Sequence, residues 1–564
     1  MKWRTPAGWL VLLWLLWVVN KGAWEGYFAG DDLDSFAWMR WARPGTFLAG
    51  FLTPSFSPTN FRPVTHALLT GLYHGAGYEF RWYVLVVQLL HVLNLGLLWG
   101  VLGRLGVAGA ARWCGLGLFA FHVACLEAYW KPMFLYDVLC ATFGLAALWA
   151  WVAGRPWWQP LLLFWCAYKS KELAISLPVV LLAYEHWLGQ RRYRALAPFF
   201  AVAVLFGAQA LLVQGGREGD YGLRLTPLSL ARTVDYYASQ ILLLPHAGWA
   251  LLAAPLLSRD RRVHWGLATF LVLLAPMFMV PNRTFSAYLY LPLAGLAVAL
   301  AAVADRLSWR RVAPVLALWL GINYVQMRPV RSTLLFQAAE HRAYFSAVRE
   351  FARQQPDLRR FLIDSYPPSL HWWGVTGCLR LAFASNDLEA VAAEAFSANN
   401  RPAADGSLAL LSWDRPARRL DSPAHVAGQP DASWIDMSRL TPLWQLESGW
   451  YGRDGAFRWT HPVAAARLHR PADAAAFEMR LNIGPDYIRE IGAVTLETRL
   501  DGALLGRHTF TRQDTRQGWQ TVRYPVASAP AGAARVEFSV TPPFRPSNGD
   551  PRRLGIPMGA FGFR

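Results

Sequence analysis

The chain has 564 residues, 54% of them hydrophobic, with 29 tryptophans and a formal charge of +18. An apolar share of that size with positive mean hydropathy excludes an ordinary soluble domain and places most of the length in a bilayer. Much of the positive excess is arginine in short loops between apolar runs, where it orients helices, so nucleic acid is discounted as a partner.

In chain order, Lys2 to Val19 combines a basic start with an apolar centre and no small-x-small cleavage site, and reads as a retained signal anchor. Segments long enough for a roughly 30 Å hydrocarbon core run approximately 8 to 23, 82 to 103, 112 to 130, 133 to 153, 157 to 168, 172 to 188, 195 to 214, 236 to 257, 264 to 281, 287 to 304 and 312 to 327, eleven in all. With the N-terminus inside, Lys2/Arg4, Arg104/Arg112, Arg155, Arg191/Arg192/Arg194, Arg259/Arg261/Arg262 and Arg306/Arg310/Arg311 all fall in cytoplasmic loops. Loop 1 (Trp24 to Arg81), the Lys131 and Lys169 turns, the loop from Gly215 to Asp235 and the Pro281 to Ser286 turn then share the outer face with the C-terminal tail. The preference for Arg over Lys in an Ala-rich chain points to a bacterial inner membrane, with that face periplasmic.

Beyond residue 328 the apolar runs shorten. Residues 330 to 435 mix a helical stretch (Leu335 to Arg353) with strand-like runs at Arg360 to Ile363 and Leu408 to Leu411, as an α/β module would. Alternating runs then recur at Val463 to Leu468, Ala476 to Ile483, Ala493 to Leu500, Arg507 to Thr511, Trp519 to Pro525, Ala534 to Val540 and Leu554 to Phe563. With Asp501-Gly502 and Asn548-Gly549 as turn signals, they predict a jelly-roll-like β-sandwich. The expected fold class is a polytopic α-helical membrane protein over 1–327, followed by a periplasmic α/β connecting module over 328–435 and a periplasmic β-sandwich over 436–564. Trp450, Trp459 and Arg458 are candidates for a glycan-stacking surface there, or else core.

Chemistry concentrates at the outer ends of the spans. Loop 1 carries Asp31-Asp32-Leu33-Asp34 and then Phe61-Arg62-Pro63-Val64-Thr65-His66. Its roughly sixty residues exceed what a connector needs, and its aromatic density predicts interfacial helices. A carboxylate at mid-bilayer costs about 2.5 to 3.5 kcal/mol, so acids needed for chemistry on a lipid-linked substrate belong at an aqueous rim. Span three ends in His122 to Pro132 with Glu127 and Lys131, span four opens with Tyr136-Asp137, Lys169-Ser170-Lys171-Glu172 lies between spans five and six, and Asn282-Arg283 leads into Tyr288-Leu289-Tyr290-Leu291-Pro292. Each has a plainer alternative: a helix-capping acidic loop for Asp31 and Asp32, with Asp34 a cap, a local pair for Glu127 and Lys131, interface anchoring for Lys169 and Lys171, and interhelical hydrogen bonding for Gln88, His91 and Asn94. The five cysteines show neither a disulfide framework nor metal spacing, and His66, His74 and His122 lack the spacing of a zinc site.

The order of these motifs resembles the GT-C superfamily. An Asp-Asp pair in the first outer loop, Phe-Arg-Pro before span two, His91 and Asn94 within it, His-x4-Glu ending span three, Asp137 opening span four, Lys-Glu then Pro at span six, and Tyr-Leu-Pro with Gly295 at span ten carry the likeness over roughly residues 1 to 327. Within it the chain is most similar to bacterial relatives of the protein O-mannosyltransferases and the transmembrane and tetratricopeptide-repeat O-mannosyltransferases, without the repeats. The resemblance implies transfer of a sugar from a polyprenyl-phosphate carrier, with inversion, to a glycan, lipid or protein acceptor. It makes Asp32 or Asp31 the base and Glu127 the second acid, with Arg62, His66, Lys131, Asp137, Lys169, Lys171, Glu172, Arg283 and Tyr288 as substrate contacts. No cofactor is firmly implied, though a divalent cation is compatible, and no metal ligand is assigned. The chain departs from the family at Leu135, where an Arg is common, and at Asn282-Arg283, where an acidic-Arg pair is common. The alternatives are a transporter or flippase of lipid-linked saccharides and a non-catalytic glycan-assembly protein.

Overall fold

The computed structural model describes residues 4–57, 60–214, 222, 226–392, 408–422, 431–438, 445–454, 456–514, 518–546 and 552–564. Lys2, most of the loop from Gly215 and the expected turn at Asn548-Gly549 lie outside the described residues. The chain divides into two compact units, Met1–Ala339 and Glu340–Arg564.

The first unit is helical. Its elements are α1 (Arg4–Asn20), α2 (Gly30–Met39), α3 (Pro44–Leu52), α4 (Pro63–Ala76), α5 (Phe80–Arg104), α6 (Gly109–Phe121), α7 (Leu135–Val152), α8 (Trp158–Ser170), α9 (Leu177–Trp187), α10 (Ala197–Gln214), α11 (Pro227–Ile241), α12 (Ala254–Leu257), α13 (Arg261–Phe278) and α14 (Leu293–Leu307), after which α15 (Trp309–Gln354) begins. Proline opens α3, α4 and α11, where its missing N–H costs nothing. Where α14 meets α13, a Cβ on Gly295 would come within 2.5 Å of the Phe270 nitrogen, so only glycine permits this approach.

Among the described residues four helical stretches are long and apolar enough to cross a membrane: Thr5–Glu25, Phe80–Arg104, Pro132–Val152 and Tyr193–Val213. The other expected spans fall on helices that are shorter, interrupted or less apolar. Span three is not straight: Gly109–Phe121 and the 3₁₀ helix Val123–Tyr129 meet at 67°. Asn323 takes the Val123 N–H at 2.9 Å and His122 Nδ1 takes that of Ala124 at 3.1 Å, which interrupts the α ladder. The run 236 to 257 also breaks, because Pro245 lacks an N–H while Leu243 and His246 have positive φ of 63° and 61°.

The second unit is β-rich. β1 (Arg360–Ser365), α16 (His371–Ala382), β2 (Glu389–Ala392), β3 (Leu408–Asp414) and β4 (Arg419–Asp421) build a sheet of order β2-β1-β3-β4, parallel except at its β4 edge. β5 (Trp434–Asp436), β6 (Leu446–Asp454), β7 (Phe457–Arg470), β8 (Ala476–Asn482), α17 (Pro485–Ile491), β9 (Val494–Leu500), β10 (Ala503–Phe510), β11 (Trp519–Pro525), β12 (Gly532–Thr541) and β13 (Pro557–Phe563) follow, and these strands join in one antiparallel sheet. Burial alternates residue by residue along β9, as a half-buried strand requires. The expected hairpin at Asp501-Gly502 is present, with φ of 50° and 85°, the left-handed pair that suits the twist of the flanking strands.

Of the three tail residues weighed as a stacking surface or core, Trp450 and Arg458 are core. Trp450 donates its indole N–H to the Ala465 carbonyl at 2.8 Å and stacks on Phe561, while Arg458 is 1% exposed and ion-paired with Asp364 of β1. Arg458 falls on the buried phase of the alternation that opens β7.

Candidate functional site

Asp32 is the third residue of α2. Its Oδ2 accepts the Ala29 N–H at 2.8 Å, closing the helix start from within at the end where the helix dipole favours negative charge. The other oxygen is buried and meets no hydrogen-bond partner among the described residues. Phe28, Phe36 and Tyr83 pack edge to face beside it. Burial therefore pushes the Asp32 carboxyl up to about 8, and Asp31 adds to this while the Ala29 N–H and Lys131 oppose it. Asp31 is half-buried, and both aspartates lie within electrostatic reach of Tyr136.

Three cation–carboxylate pairs stand at the same end of the helices. Glu172 takes the Arg62 guanidinium through both oxygens at 2.9 to 3.1 Å, and that guanidinium lies 5.1 Å over the Tyr136 ring. Asp137 holds Lys171 through both oxygens at 2.6 Å, and the ammonium sits 4.4 Å over the Tyr288 ring. Glu127 holds Lys131 through one oxygen, at 2.8 Å. Because Tyr136-Asp137 and Lys171-Glu172 are neighbours in sequence, the first two pairs interlock, and Tyr136 links them to the aspartates. Apart from those rings, positive charge here is already met by carboxylate.

His66 is a brace. Its Nδ1 accepts the Arg62 N–H at 2.9 Å, and its ring stacks on Phe61 and meets Trp38 edge-on. Burial and the adjacent Arg62 push its pKa down to about 3, so it is neutral and supplies no charge to an anion.

Lys169 goes elsewhere. Its ammonium donates to the Thr53 carbonyl at 2.7 Å and lies 5.1 Å from the Trp165 and Phe206 rings. Trp165 donates to the Phe51 carbonyl and Gln209 to that of Pro54, so α8 and α10 clamp the end of α3 and the segment that follows it. Arg283 lies 5.3 Å over the Phe285 ring. His91 and Asn94 bond the Tyr290 hydroxyl at 2.7 and 3.1 Å, an interhelical network below the ion pairs.

Sequence reasoning missed Tyr136 as the ring beneath Arg62, and Tyr236, which lies within electrostatic reach of Glu127. Tyr136 adjoins Asp137, which gave a signal, whereas Tyr236 had none. Among the described residues no three His, Cys, Asp or Glu side chains gather as a metal site would require.

No family model and no curated protein matches the chain. Among solved structures it is similar to ArnT from Cupriavidus metallidurans bound to undecaprenyl phosphate, at 16% identity and a TM-score of 0.41, over 68% of this chain and 86% of that one. It is also similar to the cycloalternan-forming enzyme from Listeria monocytogenes in complex with pentasaccharide, at 17% identity and a TM-score of 0.15, over 28% of this chain and 15% of that one. Neither likeness is close enough to assign a family.

Proposed function

We propose that the chain is an integral membrane glycosyltransferase of GT-C type, similar to the O-mannosyltransferases. It moves a hexosyl or pentosyl unit from a polyprenyl-phosphate donor to a hydroxyl of a glycan, lipid or protein at the periplasmic face of the inner membrane. The observation that supports this most is the gathering of a half-buried aspartate, three ion pairs and two tyrosine rings at one end of a set of apolar helices. In this reading residues 1–327 are the transferase domain, 328–435 a connecting module and 436–564 a jelly-roll-like β-sandwich.

Asp31 is the base: it is the more accessible of the two aspartates, while Asp32 is occupied by the Ala29 N–H. The acceptor oxygen attacks the anomeric carbon from the face opposite the phosphate, its proton passes to Asp31, and the carbon–oxygen bond to phosphate breaks with both electrons leaving on the polyprenyl phosphate. One displacement inverts the anomeric centre. Asp32 fixes the start of α2 and so aims Asp31, and the cations meet the charge that grows on the leaving phosphate.

Transfer of labelled sugar from a polyprenyl-phosphate donor by purified protein in nanodiscs tests this. Asp31→Asn is expected to lose about 10² to 10⁴ in rate, the usual worth of a general base, while remaining folded. Folded Asp31→Asn and Asp32→Asn proteins that both keep full transfer would remove the reaction from this end of the molecule.

A further inference from the structure

We infer that Glu127 is an internal stand-in for the donor's phosphate, holding Lys131 until a lipid-borne phosphate takes its place. The inference rests on the glycosyltransferase reading and names how that site is kept before donor arrives.

The three ion pairs are not equivalent. Asp137 and Glu172 each grip their cation with both oxygens, and each cation also rests on a tyrosine ring. Asp137 is 3% exposed, which makes exchange for another anion costly. Glu127 grips Lys131 with one oxygen only, at an exposure of 32% and 21% that is close to the 33% and 17% of Glu172 and Arg62, so it is the single contact that sets this pair apart. Such a pair is worth at most about 1 kcal/mol, so another anion can replace it. Lys131 also lies within electrostatic reach of Asp32, which puts the exchange beside the acidic start of α2.

Charge explains why the exchange favours reaction. A sugar phosphodiester carries one negative charge, the same as Glu127, so donor and Glu127 compete for Lys131 on nearly equal terms. As the bond to sugar breaks, the phosphate becomes a monoester with about −1.5 to −2 charge near neutral pH. Glu127 therefore loses to the leaving group more decisively than to the donor, and the preference is for the charge of the transition state.

The test is binding of undecaprenyl phosphate to the full chain in nanodiscs, by wild type, Glu127→Gln, Lys131→Ala and the double variant. Glu127→Gln is expected to tighten binding roughly two- to fivefold, the fold-change that an exposed pair's energy allows. Lys131→Ala should weaken it, Lys131→Arg should retain it, and Glu127→Gln should have no effect once Lys131 is alanine. Weaker binding by Glu127→Gln, or equal tightening with and without Lys131, overturns the inference and leaves the transferase reading intact. Wild type that binds no undecaprenyl phosphate overturns both.

Discussion

The two ends of the helical unit use the same residue types to different effect. At the end that carries Arg192 and Arg262, Glu185 is fully buried and saturated: it accepts from the Trp151 indole at 2.8 Å, the Arg192 N–H at 2.8 Å and the Arg192 Nε at 3.1 Å. Arg192 closes the knot by donating to the Trp151 carbonyl and lying 4.6 Å over its ring. Nearby helix ends are tied in the same way, since Asp305 takes Arg262 and the Ala108 N–H. At the other end Asp32 keeps an oxygen without a partner and Glu127 holds Lys131 by one oxygen. Saturation goes here with a carboxylate that fixes a loop, while Asp32 and Glu127 keep hydrogen-bonding capacity unused.

Removing a saturated acid should cost the most stability. Glu185→Ala leaves Arg192 and the Trp151 indole without their acceptor, and breaking a buried pair from one side costs about 3 to 5 kcal/mol. The expected outcome is a large drop in melting temperature in detergent, with transfer per folded molecule unchanged. Glu185→Gln keeps an acceptor for the indole and should lose less. A melting temperature unchanged by Glu185→Ala would end the contrast between the two ends.

Asp32, the acid with an unpartnered oxygen, should respond to pH instead. Asp32 keeps its proton in the fold up to about pH 8, while its ordinary value is 3.8. A folded pKa raised in this way gives stability that is complete below 3.8 and is lost as pH rises toward 8, by about 1.4 kcal/mol per pH unit within that window. Asparagine still accepts the Ala29 N–H and carries no proton to lose. Asp32→Asn should therefore flatten the decline in melting temperature between pH 5 and pH 8, and parallel curves for both proteins would show that Asp32 is ionised in the fold.

How far the sequence announced these features depended on the range of the contact. Strands in the tail could be read because alternation is local, and all seven alternating runs are strands. The Glu127–Lys131 pair was visible as an i,i+4 spacing. Arg62 and Glu172 are 110 positions apart, and nothing local in either segment names the other. The bend after His122 lies in an apolar run that reads as continuous helix, because the side chain that breaks it, Asn323, comes 200 residues later. Arg458 could be read as surface or core for the same reason, since its counter-charge, Asp364, lies 94 positions earlier.

Lys169 gives the smallest expected effect and the sharpest separation between the two kinds of role. Its position between apolar spans suggested a phosphate contact, yet it is 5% exposed, and its ammonium serves the Thr53 carbonyl and two aromatic faces. A charged hydrogen bond of this kind contributes about 1.5 to 3 kcal/mol at most. Lys169→Ala should accordingly lower the melting temperature modestly and speed proteolysis at 53–57, where Gln209 still holds the Pro54 carbonyl and the Phe56 N–H. Gln209→Ala should do the same, and the two together should release the segment further. Affinity for undecaprenyl phosphate should stay within about twofold of wild type in each, because both side chains are engaged by the backbone of the 53–57 segment. A tenfold loss of that affinity in Lys169→Ala, with the melting temperature unmoved, would return this lysine to the substrate and make the clamp incidental.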